Sequence, residues 1–400
     1  MKRRISLRLG FICICLCLAT IASSWAQLRR PDGASFEKTA QRAEEARERG
    51  DVAGAVRLYH AGLVLKPGWQ EGWWYYGSLL YDNNQYAEAV RALRRLTALN
   101  ARLGGAWALL GLSEFEIRDY GRALAHLQRG RDLGYGDAAS LADVADYHLA
   151  ILLNAHGDCD RARWLLASLL LRGVNSENVQ VGLGLSLLRV PVLPSQLDPS
   201  KDALVHDAGN TAARVARKQY EQADAGFRQL IAKYPSTHFV HYAYGAMLAS
   251  RGQEEAAKEE FRAETAVTPD SALPYMEWAF VESKASNYKD ALPLALKAVE
   301  LSPNSFLAHY LLGNALFATG RIRRSVVQLE RACRLAPESP EVRYSLGRAY
   351  AKAGNAQLAR REQAMFMQLQ AARQHKSESE ESAAPASQTN AAEVPGASPQ

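Results

Sequence analysis

Apolar residues recur at helical spacing through residues 36–373, at i, i+3, i+4 and i+7, and no run alternates with period two. This pattern predicts helices and no strands. Two ladders also repeat every 34 residues, one of prolines and one of small residues. They comprise Pro235, Pro269, Pro303 and Pro337, and Gly245, Ala279, Gly313 and Gly347. Each unit is therefore predicted to be a helix, a short turn, a second helix and a proline stop.

The unit 306–339 indicates how its two predicted helices meet. Gly313 in the first helix and Ser325 in the second remove the bulk that would separate the two backbones. Glycine inside a helix costs ~1 kcal/mol relative to alanine, so close helix contact is the expected benefit. Gly320 ends the first helix with a residue that tolerates positive φ, and Pro337 ends the unit.

The combined spacing, Trp/Tyr-x2-Leu-Gly-x2-Tyr, then Ala-x3-Phe, Ala and Pro, resembles the tetratricopeptide repeat family. The best copies are Trp73, Tyr76, Gly77, Leu80, Ala89 and Leu93; Trp107, Leu110, Gly111, Ala123 and Leu127; and Tyr244, Gly245, Leu248, Ala257, Phe261 and Pro269. The resemblance implies an all-α, right-handed superhelical solenoid of about ten antiparallel helix pairs. The units would start at 36, 70, 104, 143, 177, 204, 238, 272, 306 and 340.

Two stretches depart from the repeat. Residues 138–155 look like one lengthened helix. Residues 190–200, called the connector below, stand where a second helix is due, and their prolines forbid regular helix. The expectation is an N-terminal stack 36–189 and a C-terminal stack 201–373. The connector between them is then a hinge, a rigid joint, or a segment that folds onto the groove through Val190, Val192 and Leu193.

The two ends of the chain differ from its middle. Residues 1–26 have a basic start, an apolar stretch and small residues before Gln27, which predicts a signal peptide cleaved near Ala26 and export to the periplasm or the medium. An uncleaved membrane anchor is the alternative. A linker, 27–35, follows. The tail 374–400 is rich in Ser, Ala, Pro and Glu and is predicted to be disordered.

Charge and cysteines exclude several classes of function. Four basic residues lie within the first ten positions and the tail is acidic, so residues 27–373 carry about +5 of the net charge of +6, which is too diffuse to predict a basic surface for nucleic acid. Outside the predicted signal only Cys159 and Cys333 remain, too few for a disulfide framework. The sequence 156–160 has metal-ligand residue types but falls at a repeat turn, and His238 and His241 fit helix packing. No catalytic, cofactor or metal site is therefore predicted.

A binding surface follows from the repeat geometry instead. In the family, the first helices line a concave groove that accepts an extended or helical peptide. Positions 2, 5, 9 and 12 of each first helix, the groove stripe, would face it. Its candidate partner-binding residues are Trp74, Tyr81, Phe115, Tyr147, Tyr242, Phe280, Tyr310, Asn314, Phe317, Tyr344 and Arg348. Tyr in this stripe also packs on neighbouring repeats, so packing is the competing interpretation.

The aromatic cluster in GWWYYG, residues 72–77, divides by the same register. Trp73 and Tyr76 fall at core positions and Trp74 falls on the groove stripe. The register predicts that truncating Trp73 costs ~3–5 kcal/mol as a core change, and that truncating Trp74 costs under about 1 kcal/mol as a surface change.

The function expected from these features is a non-enzymatic scaffold of the cell envelope that binds another protein or a peptide in its groove. Two alternatives are a recruiting module for a cell-wall or polysaccharide enzyme, and a carrier of an apolar ligand. The carrier requires Leu112, Leu185 and Leu188 to face an enclosed cavity. No membrane-spanning segment is expected once the signal is removed.

Overall fold

The computed structural model describes residues 33–383, which form nineteen α-helices and three short 3-10 segments, with no strand among them. The all-α expectation is confirmed. The predicted signal peptide 1–26, most of the linker and residues 384–400 lie outside the described residues. The chain divides after Arg217 into two compact units, whose described parts are 33–217 and 218–383.

The first unit contains ten helices. They are α1 (Gly33–Glu48), α2 (Val52–Leu65), α3 (Gln70–Asp82), α4 (Tyr86–Leu99), α5 (Gly104–Glu116), α6 (Tyr120–Leu133), α7 (Ala142–Ala155), α8 (Cys159–Leu171), α9 (Glu177–Leu187) and α10 (Asp202–Ala216). Neighbours in this order pack as pairs, α1 on α2 through α9 on α10.

The second unit contains nine helices. They are α11 (Tyr220–Lys233), α12 (Val240–Ser250), α13 (Glu254–Val267), α14 (Ala272–Lys284), α15 (Tyr288–Leu301), α16 (Phe306–Ala318), α17 (Ile322–Leu335), α18 (Pro340–Lys352) and α19 (Ala356–Ala383). After α11, four helix pairs follow in chain order.

Small residues set the distance between the two helices of a pair. A Cβ built on Gly77, Gly111 or Gly245 would lie 2.8 Å from the side chain of the residue sixteen positions later, Leu93, Leu127 or Phe261. In the pair α16–α17 the Ser325 hydroxyl donates to the Gly313 carbonyl at 2.7 Å. The predicted close contact is thus present, and it buries a core between first and second helices.

The turn between the two helices of a pair contains a residue with positive φ at a fixed position of the repeat. Gly157 and Gly320 have φ of 85° and 79° there, which glycine adopts without strain. Asn84 and Arg118 occupy the same position with φ of 59° and 64°. The register therefore fixes the turn more strongly than the residue type does.

Three sequence expectations differ from the structure. The predicted long helix 138–155 is instead a 3-10 segment, Gly136–Leu141, followed by α7, because Ala138 leaves helical geometry. The last helix continues to Ala383, so residues 374–383 are helical rather than disordered; Ala, Gln and Glu there favour helix.

The third difference concerns the connector. It forms two 3-10 segments, Pro194–Gln196 and Pro199–Lys201, and no α-helix, as its prolines predict. The helix after it, α10, packs on α9 within the first unit, whereas residues 201–216 were expected to open the second stack. The connector is therefore a long turn between two packed helices, and the division of the chain lies at 217/218.

Candidate functional site

Position 4 of the first helix is a structural position. Trp73 Nε1 donates to the Pro67 carbonyl at 2.8 Å, and Trp107 Nε1 donates to the Ala101 carbonyl at 3.0 Å, one repeat later. The ring of His309 makes the corresponding bond to Pro303 at 3.0 Å. These side chains hold the turn that precedes their own helix.

Trp73 therefore holds the repeat, as the register predicts, but through a hydrogen bond at a half-buried position and not as a fully buried core residue. Tyr76 lies beside it, with ring centroids 6.2 Å apart, and is half-buried too. The core of this region is built around Tyr59, which the Trp69 ring approaches at 5.5 Å. Sequence reasoning gave Trp69 no role, because it lies just before α3.

Trp74 borders a separate cavity of about 510 Å³ in the first unit. Its indole lies 3.7 Å from where a Cβ on Gly105 would be placed. Gly105, which also faces Ala138, thus lies in contact range of the ring, whereas Gly104 packs against the backbone of Gly134. Trp74 is therefore half-buried, and truncating it should cost more than the surface change predicted from the sequence.

A second and larger cavity, called the connector cleft, lies on the groove stripe of the first unit and has a volume of about 660 Å³. Helices α5, α7 and α9 supply three of its walls, and the connector and α10 supply the rest. The lining residues are Phe115, Tyr147, His148, Ile151, Glu177, Asn178, Val181, Leu193, Pro194, Ser195, Leu197, Pro199, Asp202 and His206.

Hydrogen bonds and one buried side chain hold the connector in place. Asn154 Nδ2 donates to the Val190 carbonyl at 2.7 Å and lies 3.4 Å from that of Val192. Leu193 is 3% exposed, and its amide donates to Gln196 Oε1 at 3.1 Å. Of the three ways in which the connector could behave, folding onto the groove is the one that these contacts support.

The floor of the connector cleft is aromatic and apolar. Phe115 meets His148 edge-on with centroids 4.6 Å apart, and Tyr147 lies 5.3 Å from His148. Burial lowers the pKa of His148, whose Nδ1 donates to the Val144 carbonyl at 2.8 Å. Burial also raises the pKa of Tyr147. Both side chains are therefore uncharged near neutral pH.

Charge is confined to the rim of the cleft. His206 Nε2 lies 3.4 Å from Glu177 Oε1, and His206 Nδ1 lies 3.4 Å from Asp202 Oδ1. The Asp202 carbonyl, which accepts from the His206 ring at 2.9 Å, and these two carboxylates raise the pKa of His206. Sequence reasoning found Phe115 and Tyr147 but missed this trio, because Asp202 and His206 come from a helix expected in the other stack.

In the second unit, Arg348 forms a different feature of the groove stripe. Its guanidinium carbon lies 4.9 Å from the Phe317 ring centroid and 5.6 Å from that of Tyr344. Tyr344 is 51% exposed. Tyr310 is half-buried and packs with Phe317 on the core between α17 and α18, while Asn314 is half-buried nearby on the same helix. In this unit some residues of the groove stripe pack on the core and others are exposed on the surface.

The remaining predicted residues are spread out. Tyr81 is half-buried and packs on Tyr86 at 5.4 Å, and Phe280 is 50% exposed. Tyr242 is only 6% exposed, with its ring 6.2 Å from Phe261, so it has almost no surface for a partner. This corrects its assignment to the groove, and its burial makes it a packing residue.

No group of three or more His, Cys, Asp or Glu residues within 33–383 is arranged to hold a metal ion. His241 binds Glu260 instead, with Nδ1 2.6 Å from Oε2, and Cys159 is buried. Over the same residues, no helix combines the length and the apolar character needed to cross a bilayer.

Comparison with known proteins gives one relative and several solved structures. Anaphase-promoting complex subunit 3 of Schizosaccharomyces pombe is 22% identical over 284 residues, which are 69% of this chain and 42% of that subunit. The chain thus spans less than half of its relative's length. MamA of Desulfovibrio magneticus RS-1, solved from residue 41 to its end, is 21% identical, with a TM-score of 0.39, and the match covers 42% of this chain and 94% of the solved MamA chain. YrrB, described as a TPR protein with an unusual peptide-binding site, is 20% identical, with a TM-score of 0.38 and coverage of 43% and 88%.

Models of the tetratricopeptide repeat match in both units. They cover residues 41–101, 76–138 and 278–326 in one form, 313–354 in a second and 211–237 in a third. The helix pairs, the left-handed turns and the small residues between helices agree with these matches. This chain belongs to the tetratricopeptide repeat family, whose repeats serve protein–protein interaction.

Proposed function

We propose that this protein is a non-enzymatic scaffold of the cell envelope that binds a segment of a partner protein on the groove stripe of its first unit. The connector cleft carries the proposal. Half-buried Phe115 and Tyr147, both selected by the repeat register, line a concavity of about 660 Å³. Aromatic side chains on a rigid wall are the anchors that dominate binding free energy at interfaces.

The apolar-carrier alternative has a structural condition that can be checked. Leu112, Leu185 and Leu188 would have to face an enclosed cavity. They are 1%, 1% and 3% exposed and line neither the Trp74 cavity nor the connector cleft. Their burial is explained by helix packing, so the scaffold is the better-supported function.

The envelope location is part of the proposal and rests on the sequence of residues 1–26. Fractionation of cells that express the full chain, followed by N-terminal sequencing, tests it. We expect the protein in the envelope or periplasmic fraction with a mature terminus at Gln27. A cytosolic protein that retains Met1 would contradict the location and leave the binding function to be judged separately.

Binding is tested by site-specific photo-crosslinking in the native cell. A photoreactive phenylalanine analogue replaces Tyr147 in one variant and Trp164 in another. Trp164 is 60% exposed on α8 and lines neither described cavity, so it is a matched control. We expect Tyr147 to give a discrete adduct that mass spectrometry assigns to one protein, and Trp164 to give none. Equal adducts at both sites, or none at either, would contradict a groove-stripe scaffold.

A further inference from the structure

We propose that the connector cleft selects a short extended segment that presents an apolar side chain followed closely by a Lys or Arg. This inference rests on the proposed function and specifies the partner's chemistry. It is carried by the contrast between the floor and the rim of the cleft.

The floor accepts an apolar group. Phe115, Tyr147, Ile151 and Val181 come from three successive first helices, and Leu193 of the connector closes the end of the floor. Ile151 is 5% exposed and Val181 is 9% exposed, so they form a base beneath the aromatic rings and offer little contact of their own. Burying an apolar side chain on such a floor stabilises a complex because it removes apolar surface from water.

The rim accepts a cation. Among residues 33–383 no Lys or Arg lines the cleft, and its charged groups are Glu177, Asp202 and titratable His206. The side chain of Glu177 is 82% exposed and that of Asp202 is 60% exposed, so both carboxylates are open to a ligand. Because His206 lies between them at 3.4 Å from each, the two acids stay on one side of the opening. An incoming cation would meet both at short range.

The size of the cleft favours an extended segment over a helix. A helix with its side chains is about 10–12 Å across, which is wide for a cleft of about 660 Å³ lined by four helices and the connector. Cavities of this volume hold a drug-sized group, roughly two or three side chains. The connector supplies Pro194, Leu197 and Pro199 to the lining of the cleft.

The full chain is titrated with two labelled hexapeptide libraries that differ at one fixed position, Lys in the first and Glu in the second. The other positions carry random apolar residues, and binding is followed by fluorescence anisotropy. We expect the Lys library to bind about tenfold more tightly, which corresponds to about 1.4 kcal/mol. We also expect this preference to shrink at high salt, since exposed charges are screened.

Three variants locate the effect. The double change Glu177→Gln with Asp202→Asn should abolish the preference for Lys. Tyr147→Ala should weaken both libraries about equally. The control Glu259→Gln with Glu300→Gln removes two exposed carboxylates from the second unit and should change nothing. Circular dichroism confirms that each variant is folded.

The outcomes separate the two proposals. A preference for Glu, or a Lys preference that survives the double change, would overturn the basic-ligand inference while peptide binding as such stands. The inference would also be overturned if the control variant, Glu259→Gln with Glu300→Gln, weakened binding of the Lys library as much as the double change at the rim does. Absence of binding by either library, together with no Tyr147 crosslink in cells, would overturn the scaffold itself.

Discussion

The α9–α10 pair of the first unit and the α16–α17 pair of the second unit achieve close helix packing with very different loops. Residues 319–321 join α16 to α17, whereas residues 188–201, which include the connector, join α9 to α10. In α16–α17, Gly313 faces the Leu329 side chain, 2.6 Å from a built Cβ. In α9–α10, a Cβ on Gly184 would overlap the Val205 carbonyl, and one on Gly209 would overlap that of Gln180.

The difference shows that pairing is specified by the helix surfaces and not by the loop. Where two backbones are in direct contact, the helices can pack even when the connection is long, because the entropic cost of closing a loop rises only slowly with its length. The loop is then free to carry other residues, and here it forms one wall of the connector cleft. The following substitutions test this account in order of expected effect.

Gly184→Ala should have the largest effect. Its methyl group would meet backbone, which cannot rotate away, so we expect a loss of ~3 kcal/mol in the free energy of unfolding, typical of severe overpacking. Urea unfolding followed by tryptophan fluorescence measures it. Gly121→Ala is the control, since nothing lies within 4 Å of a Cβ there and the gain in helix propensity should leave it neutral or stabilised. If both variants are equally stable, α9 and α10 do not pack as described.

Asn154→Ala should have the next largest effect, because it removes the tether of the long loop. The Val190 carbonyl would lose its 2.7 Å donor, and we expect a loss of about 1–2 kcal/mol in the free energy of unfolding. Hydrogen exchange should accelerate at the amides of Val192 and Leu193 while the amides of α9 and α10 remain protected. Faster exchange throughout both helices would mean that the α9–α10 pair depends on its loop, and it would contradict pairing by the helix surfaces alone.

Gly313→Ala should cost less than either, about 1 kcal/mol, because the Leu329 side chain can move and helix propensity partly offsets the overpacking. The same urea titration measures it. A loss as large as that of Gly184→Ala would remove the distinction between backbone contact and side-chain contact.

The sequence predicts the regular pair well and the irregular pair poorly, for a physical reason. In residues 306–339 the glycine, the turn and the proline all act within one unit, so their spacing is enough. The spacing around Gly184 does not predict its contact, because the backbone that it touches, at Val205, lies beyond a proline-rich segment. A contact between two backbones leaves no side-chain pattern to recognise.

The candidate site divides in the same way. Phe115 and Tyr147 follow from the repeat register, since each is at a fixed position of a first helix. Tyr242 has the same register as Tyr147 but is buried, because Phe261 and the left-handed Phe239 turn, with φ of 65°, close over it. The rim depends on the packing of α10, which no local pattern contains.

The smallest change in the free energy of unfolding is expected at position 4 of the first helix. In two helix pairs of the second unit a histidine there contacts the second helix, and its partner is a glutamate in one pair and a glutamine in the other. His241 Nδ1 lies 2.6 Å from Glu260 Oε2 in α12–α13, and His309 Nδ1 lies 2.7 Å from Gln328 Oε1 in α16–α17. The hydrogen bond to Glu260 is the largest cause that raises the pKa of His241 above its usual range. Folding therefore favours the protonated ring, and the pair's contribution is full below the unfolded pKa of about 6.5 and is lost as pH rises through the higher folded pKa.

Glu260→Gln should therefore reduce the free energy of unfolding by up to about 1 kcal/mol at acidic pH and by less at alkaline pH, when thermal or urea unfolding is compared across the range. The reciprocal change, Gln328→Glu, should make the free energy of unfolding more dependent on pH, because a carboxylate then faces an imidazole nitrogen at nearly the same distance as in α12–α13. If Glu260→Gln costs the same at every pH, the contact between His241 and Glu260 makes no charge-dependent contribution to the free energy of unfolding. If it costs more as pH rises, the sign assigned to the raised pKa is wrong.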